Sequence, residues 1–377
     1  MQVLRGLNLH LDQRPVATVV PEQPVALPYE MRTEVNWLDF SCVTNPLGTP
    51  RSFINAIHTA FVDGEVAYKP DSDAYALRQA LSKYFGLCPE AFLCCASTTE
   101  MIRSIAQSFQ PCKVGMSLPA LPEYGLALTN TGHTIAGISN PQSFVTRDPY
   151  AAKRDGVVYD AALLANPSYP ASRLLPQVTL MHYLEACHWV IVDESYIELT
   201  LGGESCYSLT ERYRNLIVVR SLSSSFNMAG IPMSYCVAHP QTIAHIEQFF
   251  DRSNISMFAE VLAGQLCEQE QFMDQTHEFL DTEIPWMQCM LSLIPGIQVF
   301  PAEANYVLCT FDSASSMDLG VSNVTELIAR LQLAGFLVRD LEGVKGFEAD
   351  RYFCVGIRNR HDNERLLAGL KKIISCS

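Results

Sequence analysis

The chain has 377 residues, of which 48% are hydrophobic and 18% charged, and its formal net charge is −14. This acidic balance argues against a nucleic-acid-binding surface, because phosphate binding needs clustered Lys and Arg and no such cluster occurs. No apolar run approaches the roughly 20 residues that span a bilayer, and Met1 to Pro15 has no signal-peptide core. We therefore expect a cytoplasmic protein without a membrane partner and, at about 100–200 residues per domain, two domains.

Thirteen cysteines are scattered along the chain without the CxxC spacing of a metal or redox motif. An odd number spread through a long chain predicts reduced thiols rather than a disulfide framework, and we predict no metal site. Cys94 and Cys95 are adjacent in a predicted strand, so they cannot face the same side of it.

Taken in order, the chain begins with a proline-rich stretch of little periodicity, residues 1–37, which we interpret as an N-terminal arm. Apolar residues at helical spacing predict helices at 52–63, 74–85, 101–106, 178–187, 324–333 and 363–374, and the long stretch 253–294 is also helical. Short apolar runs predict strands at 38–42, 92–95, 158–165, 189–192, 216–219, 297–300, 306–310, 336–338 and 352–357.

The alternation of strands and helices predicts an α/β fold with a mostly parallel sheet covered by helices on both sides. After about residue 270 the pattern changes to α+β. We predict a large domain over 38–270 and a smaller C-terminal domain over 271–377.

The apolar strand at 189–192 stops on Asp193, and Tyr196 follows three residues later. A carboxylate at the end of a buried parallel strand is costly unless something pairs with it. Asp193 is therefore the strongest candidate for a functional residue.

A second strand, at 216–219, ends in a turn that contains Ser221, Ser223, Ser224 and Ser225. Small hydroxyl donors at the end of a strand suit an anionic ligand, although a surface serine turn explains them equally simply. A third hydroxyl-rich turn holds Ser97 and Thr98 before a helix, where the same residues serve as a phosphate site or only as a helix cap.

Together, an ordered set of motifs resembles the fold-type I pyridoxal-phosphate (PLP) aminotransferases, most closely the histidinol-phosphate aminotransferase and L-threonine-O-3-phosphate decarboxylase branch. The resemblance runs from about residue 38 to the C-terminus, and each motif alone is weak. The motifs in chain order are NPLG, YKPD, STTE, LPEY, NPSYP, VDESYIEL, SLSSSFNMAG, PAEANY, LVRD and RNRHDNERLL.

By this resemblance, the large domain holds a seven-stranded sheet and the protein is a dimer, either with itself or with a related chain. Asp193 matches the carboxylate that pairs with the cofactor's pyridine nitrogen, and Tyr196 would lie near the 3-oxygen. The remaining matches are the phosphate cup (Ser97, Thr98, Ser221, Ser223), a tyrosine that reaches the neighbouring subunit (Tyr68) and two substrate-side positions (Asn45, Asn305).

The departures from the family pattern lie at the centre of its chemistry. Ser224 stands where the family has the lysine that forms the Schiff base, and a serine hydroxyl cannot form one. The phosphate-binding arginine is Pro232, and the arginine that grips the substrate carboxylate is Cys354. The aromatic that stacks on the pyridine corresponds to Leu121, and the asparagine at the 3-oxygen to Tyr169.

These losses predict that any binding of PLP or pyridoxamine phosphate (PMP) is weakened by orders of magnitude. Three hypotheses follow: a pseudoenzyme or repurposed enzyme that binds a small anionic ligand in the old crevice, a PLP or PMP enzyme with noncovalent cofactor, and a non-catalytic dimer partner of an active relative. The second needs a substitute base, for which His188, Lys69 and Lys345 are candidates. Arg358 matches an arginine of the decarboxylase branch and, with Arg360, is either an anion site or a helix-flanking surface pair.

Overall fold

The computed structural model describes residues 37–138, 159–251, 255–312, 320–347 and 351–375. The predicted N-terminal arm lies outside these residues except for Trp37.

A seven-stranded sheet forms the larger part of the fold. Its strands are β2 (Phe92–Cys95), β3 (Lys113–Ser117), β4 (Thr134–Ile138), β5 (Ala161–Ala165), β6 (Trp189–Asp193), β7 (Leu216–Ser221) and β8 (Ser234–Ala238). They lie in the order β2-β8-β7-β6-β5-β3-β4. All neighbours pair in parallel except β8, which is antiparallel to both β2 and β7. The predicted α/β class and the mostly parallel sheet are confirmed.

Helices cover both faces of this sheet. They are α1 (Arg51–Val62), α2 (Tyr75–Phe85), α3 (Thr98–Ser108), α4 (Pro122–Asn130), α5 (Gln177–Ala186), the single turn α6 (Leu222–Ser225), α7 (Pro240–Ile246) and α8 (Met257–Leu266). Alternate strand residues enter two different cores: Val190 and Val192 lie in one, and Trp189 and Ile191 in the other. Cys94 and Cys95 divide in the same way, as their adjacency predicted.

The C-terminal part contains an antiparallel sheet in the order β12-β13-β10-β9. Its elements are α9 (Glu270–Ser292), β9 (Ile297–Val299), β10 (Tyr306–Phe311), α10 (Val324–Leu333), β11 (Phe336–Leu337), β12 (Arg339–Asp340), β13 (Tyr352–Gly356) and α11 (Arg360–Ser375). An early strand, β1 (Leu38–Asp39), pairs in parallel with β11, so Leu38 packs in the C-terminal core.

Several details differ from the predicted elements. Strands β3, β4 and β8 and helices α4 and α7 were not predicted, and β1 covers only Leu38–Asp39 of the strand predicted at 38–42. The stretch predicted as helical at 253–294 contains two helices, α8 and α9, because α8 ends at Leu266 and Gln269, at φ −95° and ψ 7°, lies outside helical geometry. The strand predicted from 158 begins at Ala161. Of the strand predicted at 336–338, β11 covers Phe336–Leu337, and β12 begins after Val338 and pairs with a different partner.

Helix α9 spans the two cores. Met273 near its start packs under the large sheet, whereas Leu280, Ile284 and Leu291 pack in the C-terminal core. The predicted domain boundary near residue 270 coincides with the beginning of this helix and stays a prediction. No helix in the described ranges is long and apolar enough to cross a membrane.

Candidate functional site

Asp193 is the last residue of β6, at the carboxyl end of the large sheet, and only 7% of it is exposed. Its Oδ2 accepts a hydrogen bond from the Tyr124 hydroxyl, and its Oδ1 accepts from the Ser195 backbone N at 3.0 Å and from the Ser195 hydroxyl. Burial raises the pKa of Asp193 above its ordinary value, while these hydrogen bonds act in the opposite direction. Both carboxylate oxygens are therefore satisfied by the protein itself.

Tyr124 is a site residue that the sequence interpretation missed. It lies in the first turn of α4, is buried, and places its hydroxyl between the Asp193 carboxylate and the Thr98 side chain. Burial, followed by the Asp193 charge, raises the pKa of Tyr124 well above its usual value, so the phenol remains protonated and donates. The signal was present in the LPEY motif, in which we assigned the aromatic position to Leu121. Leu121 instead caps α4, and Tyr124 is the aromatic residue that reaches Asp193.

The turn before α3 behaves as a helix cap. The Ser97 hydroxyl accepts a hydrogen bond from the Glu100 backbone N at 3.2 Å, which satisfies one of the free donors at the start of the helix. Thr98 opens the helix and contacts Tyr124. The structure thus brings Thr98 and Asp193 together through one phenol.

The serine loop, residues 221–225, uses most of its hydroxyl groups internally. Ser221 accepts from the Ser224 backbone N and lies 3.3 Å from the Ser224 hydroxyl. Ser223 donates to the Ile231 carbonyl at 3.0 Å and accepts from the Met233 backbone N at 2.7 Å. Within the described chain no Lys or Arg side chain hydrogen-bonds to Ser221 or Ser224.

Pro232, which we predicted to stand in place of the phosphate-binding arginine, is exposed and offers no donor. Arg220 is the arginine nearest to Pro232 in the sequence. It is not available for binding a phosphate, because it is buried and paired with Glu198. Arg220 also donates to the Ser205 hydroxyl at 3.1 Å and lies 5.0 Å from the centre of the Phe85 ring. It anchors β7 to the underlying core.

Three tyrosines, Tyr169, Tyr196 and Tyr306, form a tyrosine cluster beside Asp193. The ring centres of Tyr169 lie 5.7 Å from Tyr196 and 5.1 Å from Tyr306, and Tyr196 lies 5.6 Å from Tyr306. Burial is the main reason that the pKa of Tyr196 is raised, and the Asp193 charge adds to it. Leu121 and Cys354 pack against the same cluster. We use the term crevice for the region between Asp193, the serine loop and the tyrosine cluster.

Cys354 and Arg339 lie opposite each other on paired strands. Cys354 is buried in β13, and burial raises the pKa of its thiol to about 12, which makes it a poor nucleophile. The positive charge of Arg339 acts on Cys354, Tyr169 and Tyr196, lowering the pKa of each. Arg339 makes no ion pair with a described residue. It was overlooked in the LVRD motif, because only its strand pairing places it beside Cys354.

Two of the predicted substrate-side residues are engaged within the fold. The Asn45 side-chain amide donates to the Ser225 carbonyl and to Thr276, each at 2.9 Å, and so fixes the serine loop. The Asn305 amide donates to the Thr44 carbonyl at 2.9 Å, whereas its buried Oδ1 has no partner among the described residues. Asn305 therefore keeps one free acceptor.

Arg358 and Arg360 match the surface-pair interpretation. Arg358 donates to Asp362 at 3.0 Å and to the Asp39 carbonyl at 3.1 Å. Arg360 pairs with the buried Glu283 at 2.8 Å. Both guanidinium groups are therefore engaged within the fold.

The candidate substitute bases are far from Asp193 or on the surface. His188 precedes β6, so it lies at the opposite end of the strand from Asp193. At 3.3 Å per residue the two are about 17 Å apart, so His188 cannot act as a base in the crevice. Lys69 is exposed beside Tyr68, which is itself 74% exposed. Lys345 is exposed on a loop whose Gly346, at φ 102°, packs against the backbone of Pro119.

These residues do not fit a covalently held PLP. Ser224 offers no amine, Pro232 offers no donor to a phosphate, and Ser223 spends its hydroxyl on the backbone of residues 231 and 233. The carboxylate that a pyridinium would need is bonded to Tyr124 and Ser195. In the parts of the chain that the structure describes, no group of His, Cys, Asp and Glu is arranged to hold a metal ion.

Comparison with known proteins identifies the family of this scaffold. The sequence profile of the aminotransferase class I and II family matches residues 35–339. The chain belongs to this family. It is 28% identical over 313 residues to the histidinol-phosphate aminotransferase of Chlorobaculum tepidum, covering 81% of this chain and 85% of that protein. It is 26% identical over 364 residues to that of Thermoanaerobacter pseudethanolicus, covering 93% and 94%.

Solved structures agree with the fold. The histidinol-phosphate aminotransferase from Clostridium acetobutylicum superimposes with a TM-score of 0.78 at 23% identity, over 89% of this chain and 98% of that one. The L-threonine-O-3-phosphate decarboxylase from Porphyromonas gingivalis gives 0.76 at 19% identity, over 89% and 98%. At such identities the likeness shows the fold alone.

Proposed function

We propose that this aminotransferase-fold protein binds a small anionic ligand in its crevice and does not carry out Schiff-base chemistry with PLP. The proposal rests on Ser224, which stands at the lysine position by the resemblance and whose hydroxyl lies 3.3 Å from the Ser221 hydroxyl. The protein is then a ligand-binding pseudoenzyme, or an enzyme that uses the old crevice for different chemistry.

The charges around the crevice support an anionic ligand. Arg339 contributes a guanidinium with no acidic partner among the described residues, and its positive charge lowers the pKa of Tyr169 and of Tyr196. A guanidinium binds carboxylate or phosphate through paired hydrogen bonds, and the tyrosine rings provide an apolar wall. The chain as a whole carries a net charge of −14, which repels anions. Arg339 is the positive charge that would attract an anionic ligand into the crevice in spite of this repulsion.

The covalent part of the proposal is tested on the purified protein. PLP is added, the sample is reduced with sodium borohydride, and the mass and absorption are measured against an untreated sample. We expect no mass increase on the peptide that contains residues 221–225 and no aldimine band. A band that borohydride fixes to the protein would refute the proposal.

The anion site is tested by calorimetric titration with inorganic phosphate and with PLP as probes. Arg339→Gln is expected to weaken binding about tenfold, because it removes a charge-assisted contact. Arg358→Gln is the matched variant, because Arg358 is already committed to Asp362 and should leave the affinity unchanged. Equal losses in both variants would contradict the assignment of the site to Arg339.

A second candidate function keeps a noncovalent PLP or PMP cofactor. It is favoured by Asp193, which keeps its position at the end of β6 beside Tyr196. Its test is turnover: PMP is supplied with a panel of 2-oxo acids and the formation of amino acids is measured. No product from any acid would exclude this function.

A third candidate is association with a second copy of this chain. Large apolar side chains are exposed in succession along α1 and the turn that follows it: Ile54, Phe61, Val62, Val66 and Tyr68. Such a contiguous patch supports an interface. Light scattering should give twice the monomer mass, and Phe61→Glu should lower it. A monomer at all concentrations would leave a related chain as the partner to be sought by co-purification.

A further inference from the structure

A second, chemically distinct cluster lies at the amino end of the parallel strands of the large sheet, and the crevice lies at their carboxyl end. Cys112 immediately precedes β3, at the amino end of the parallel strands, whereas Asp193 ends β6 at the carboxyl end. Because β3, β5 and β6 run in parallel, the two sites are separated by the length of the sheet. The cluster is therefore independent of the proposed ligand site.

Cys112 is paired with a histidine. Its Sγ lies 3.4 Å from His133 Nδ1, and its own backbone N donates to the same Nδ1 at 3.1 Å. The other ring nitrogen, Nε2, lies 2.9 Å from the Ala106 carbonyl oxygen. A carbonyl oxygen can only accept, so Nε2 carries the hydrogen and the Nδ1 lone pair faces Cys112, where the backbone N–H and the thiol share it. His133 is thus oriented as a base toward Cys112 by a third group.

An indole group completes the cluster. The Trp189 side chain hydrogen-bonds to Cys112 and lowers the pKa of its thiol. The indole is held by stacking on Phe109 at 4.9 Å and by an edge contact with His133 at 5.7 Å. The sulfur therefore has a proton acceptor on one side and a donor to its developing negative charge on the other.

Burial, followed by the charge of Asp160, raises the pKa of Cys112 above its ordinary value. The thiol is consequently protonated at neutral pH, and reaction requires a group that takes the proton as the sulfur attacks. His133 is that group by position. Other cysteines lack it: Cys94, Cys236 and Cys309 are buried, and the exposed Cys88 makes no hydrogen bond through sulfur with a described residue.

We propose that Cys112 is a modification site at which His133 acts as the base and hydroperoxides convert the thiol to a sulfenic acid. His133 Nδ1 accepts the thiol proton while the sulfur attacks one peroxide oxygen. The S–O bond forms, the O–O bond breaks, and the displaced hydroxide takes the proton from the imidazolium to leave as water. The sulfur is oxidised by two electrons and the peroxide is reduced by two.

The half-exposed position of Cys112 suits this role, because the sulfur is reachable while its partners stay fixed. Lys113, the next residue, is exposed, and its backbone N donates to Asp160 at 2.9 Å, which holds the loop in place. The substrate class is a small hydroperoxide, with hydrogen peroxide as the probe.

The test compares cysteines within one protein. The full chain is treated with hydrogen peroxide and trapped with dimedone, and peptide mass spectrometry gives a rate for each cysteine. We expect Cys112 to react about tenfold faster than the more exposed Cys88, and His133→Gln to bring Cys112 down to the rate of Cys88. Glutamine retains a donor for the Ala106 carbonyl but supplies no base.

Trp189→Phe is the second variant, because phenylalanine keeps an aromatic ring beside Phe109 and removes the N–H donor together with part of the buried ring volume. It should lower the Cys112 rate by a smaller factor while Cys88 stays unchanged. If dimedone also labels the buried cysteines in His133→Gln, that variant has lost its fold. The proposal is then tested by the ratio of the Cys112 rate to the Cys88 rate in the wild-type protein. A Cys112 rate at or below that of Cys88, or an unchanged rate in a folded His133→Gln variant, would overturn the proposal.

Discussion

Tyr124→Phe is the substitution that most directly tests the internal pairing of Asp193. It keeps the aromatic ring and removes the hydroxyl that bonds to Asp193 and to Thr98. A hydrogen bond to a charged group contributes roughly 1.5–3 kcal/mol, so we expect the free energy of unfolding to fall by about 2–3 kcal/mol at pH 7.

The control is Tyr306→Phe, a buried tyrosine whose hydroxyl donates to the uncharged Ser168 carbonyl at 3.0 Å. Its loss should be about 1 kcal/mol, since only a neutral hydrogen bond disappears. Both values come from urea unfolding followed by circular dichroism, with comparison restricted to variants whose denaturant slope is unchanged.

The pH dependence of the stability loss distinguishes a lost hydrogen bond to a charged group from a change in packing. The Tyr124 hydrogen bond favours the ionised form of Asp193, since it lowers the pKa of that carboxyl. The loss in Tyr124→Phe should therefore shrink as the pH falls and Asp193 becomes protonated, whereas the loss in Tyr306→Phe should stay constant. A Tyr124→Phe variant no less stable than the control, or a loss independent of pH, would refute the reasoning.

Three further predictions concern the crevice. Ser224→Lys supplies an amine, so added PLP should form an adduct on that residue that borohydride fixes and mass spectrometry detects. Ser224→Met has a side chain of similar size and should give no adduct. Absence of the adduct on the lysine would mean that position 224 does not face the ligand. Burial raises the folded-state pKa of Asp193, so its contribution favours folding most below about pH 4 and is lost as the pH rises through that raised value. Asp193→Asn should therefore make the fall in stability between about pH 4 and pH 7 shallower in urea unfolding, and an unchanged slope would contradict it. Asn45→Ala leaves the Ser225 carbonyl and Thr276 without their donor and should cost about 1–3 kcal/mol in the same assay, against less than about 0.5 for an exposed control such as Asn130→Ala.

The fold was predictable from the sequence because its signals are local. The apolar β-branched runs at 189–192 and 216–219 appear as the central strands β6 and β7, and the helical periodicities mark the helices that cover them. The interruption between α8 and α9 was not predictable, because the residues at 267–269 carry no Pro or Gly to mark it.

The site was predictable only in part. Asp193 was found because a carboxylate after an apolar strand is conspicuous by itself. Tyr124 and Arg339 were missed because their significance depends on contacts between distant parts of the chain: one reaches Asp193 from α4, and the other meets Cys354 through antiparallel pairing. One partner of Arg358, the Asp39 carbonyl, could not be found from the sequence because it comes from the other end of the chain.

Helix α9 has a mechanical consequence for the crevice. Asp193 belongs to the large sheet and Arg339 to the small one, and a single helix of 23 residues packs into the core of each. The helix passes from one core to the other between Met273 and Leu280, one turn or more before Pro285. Small rotations within this segment would change the gap between the Asp193 carboxylate and the Arg339 guanidinium. The size of anion that the crevice accepts would then be set by a stretch of helix that touches neither group.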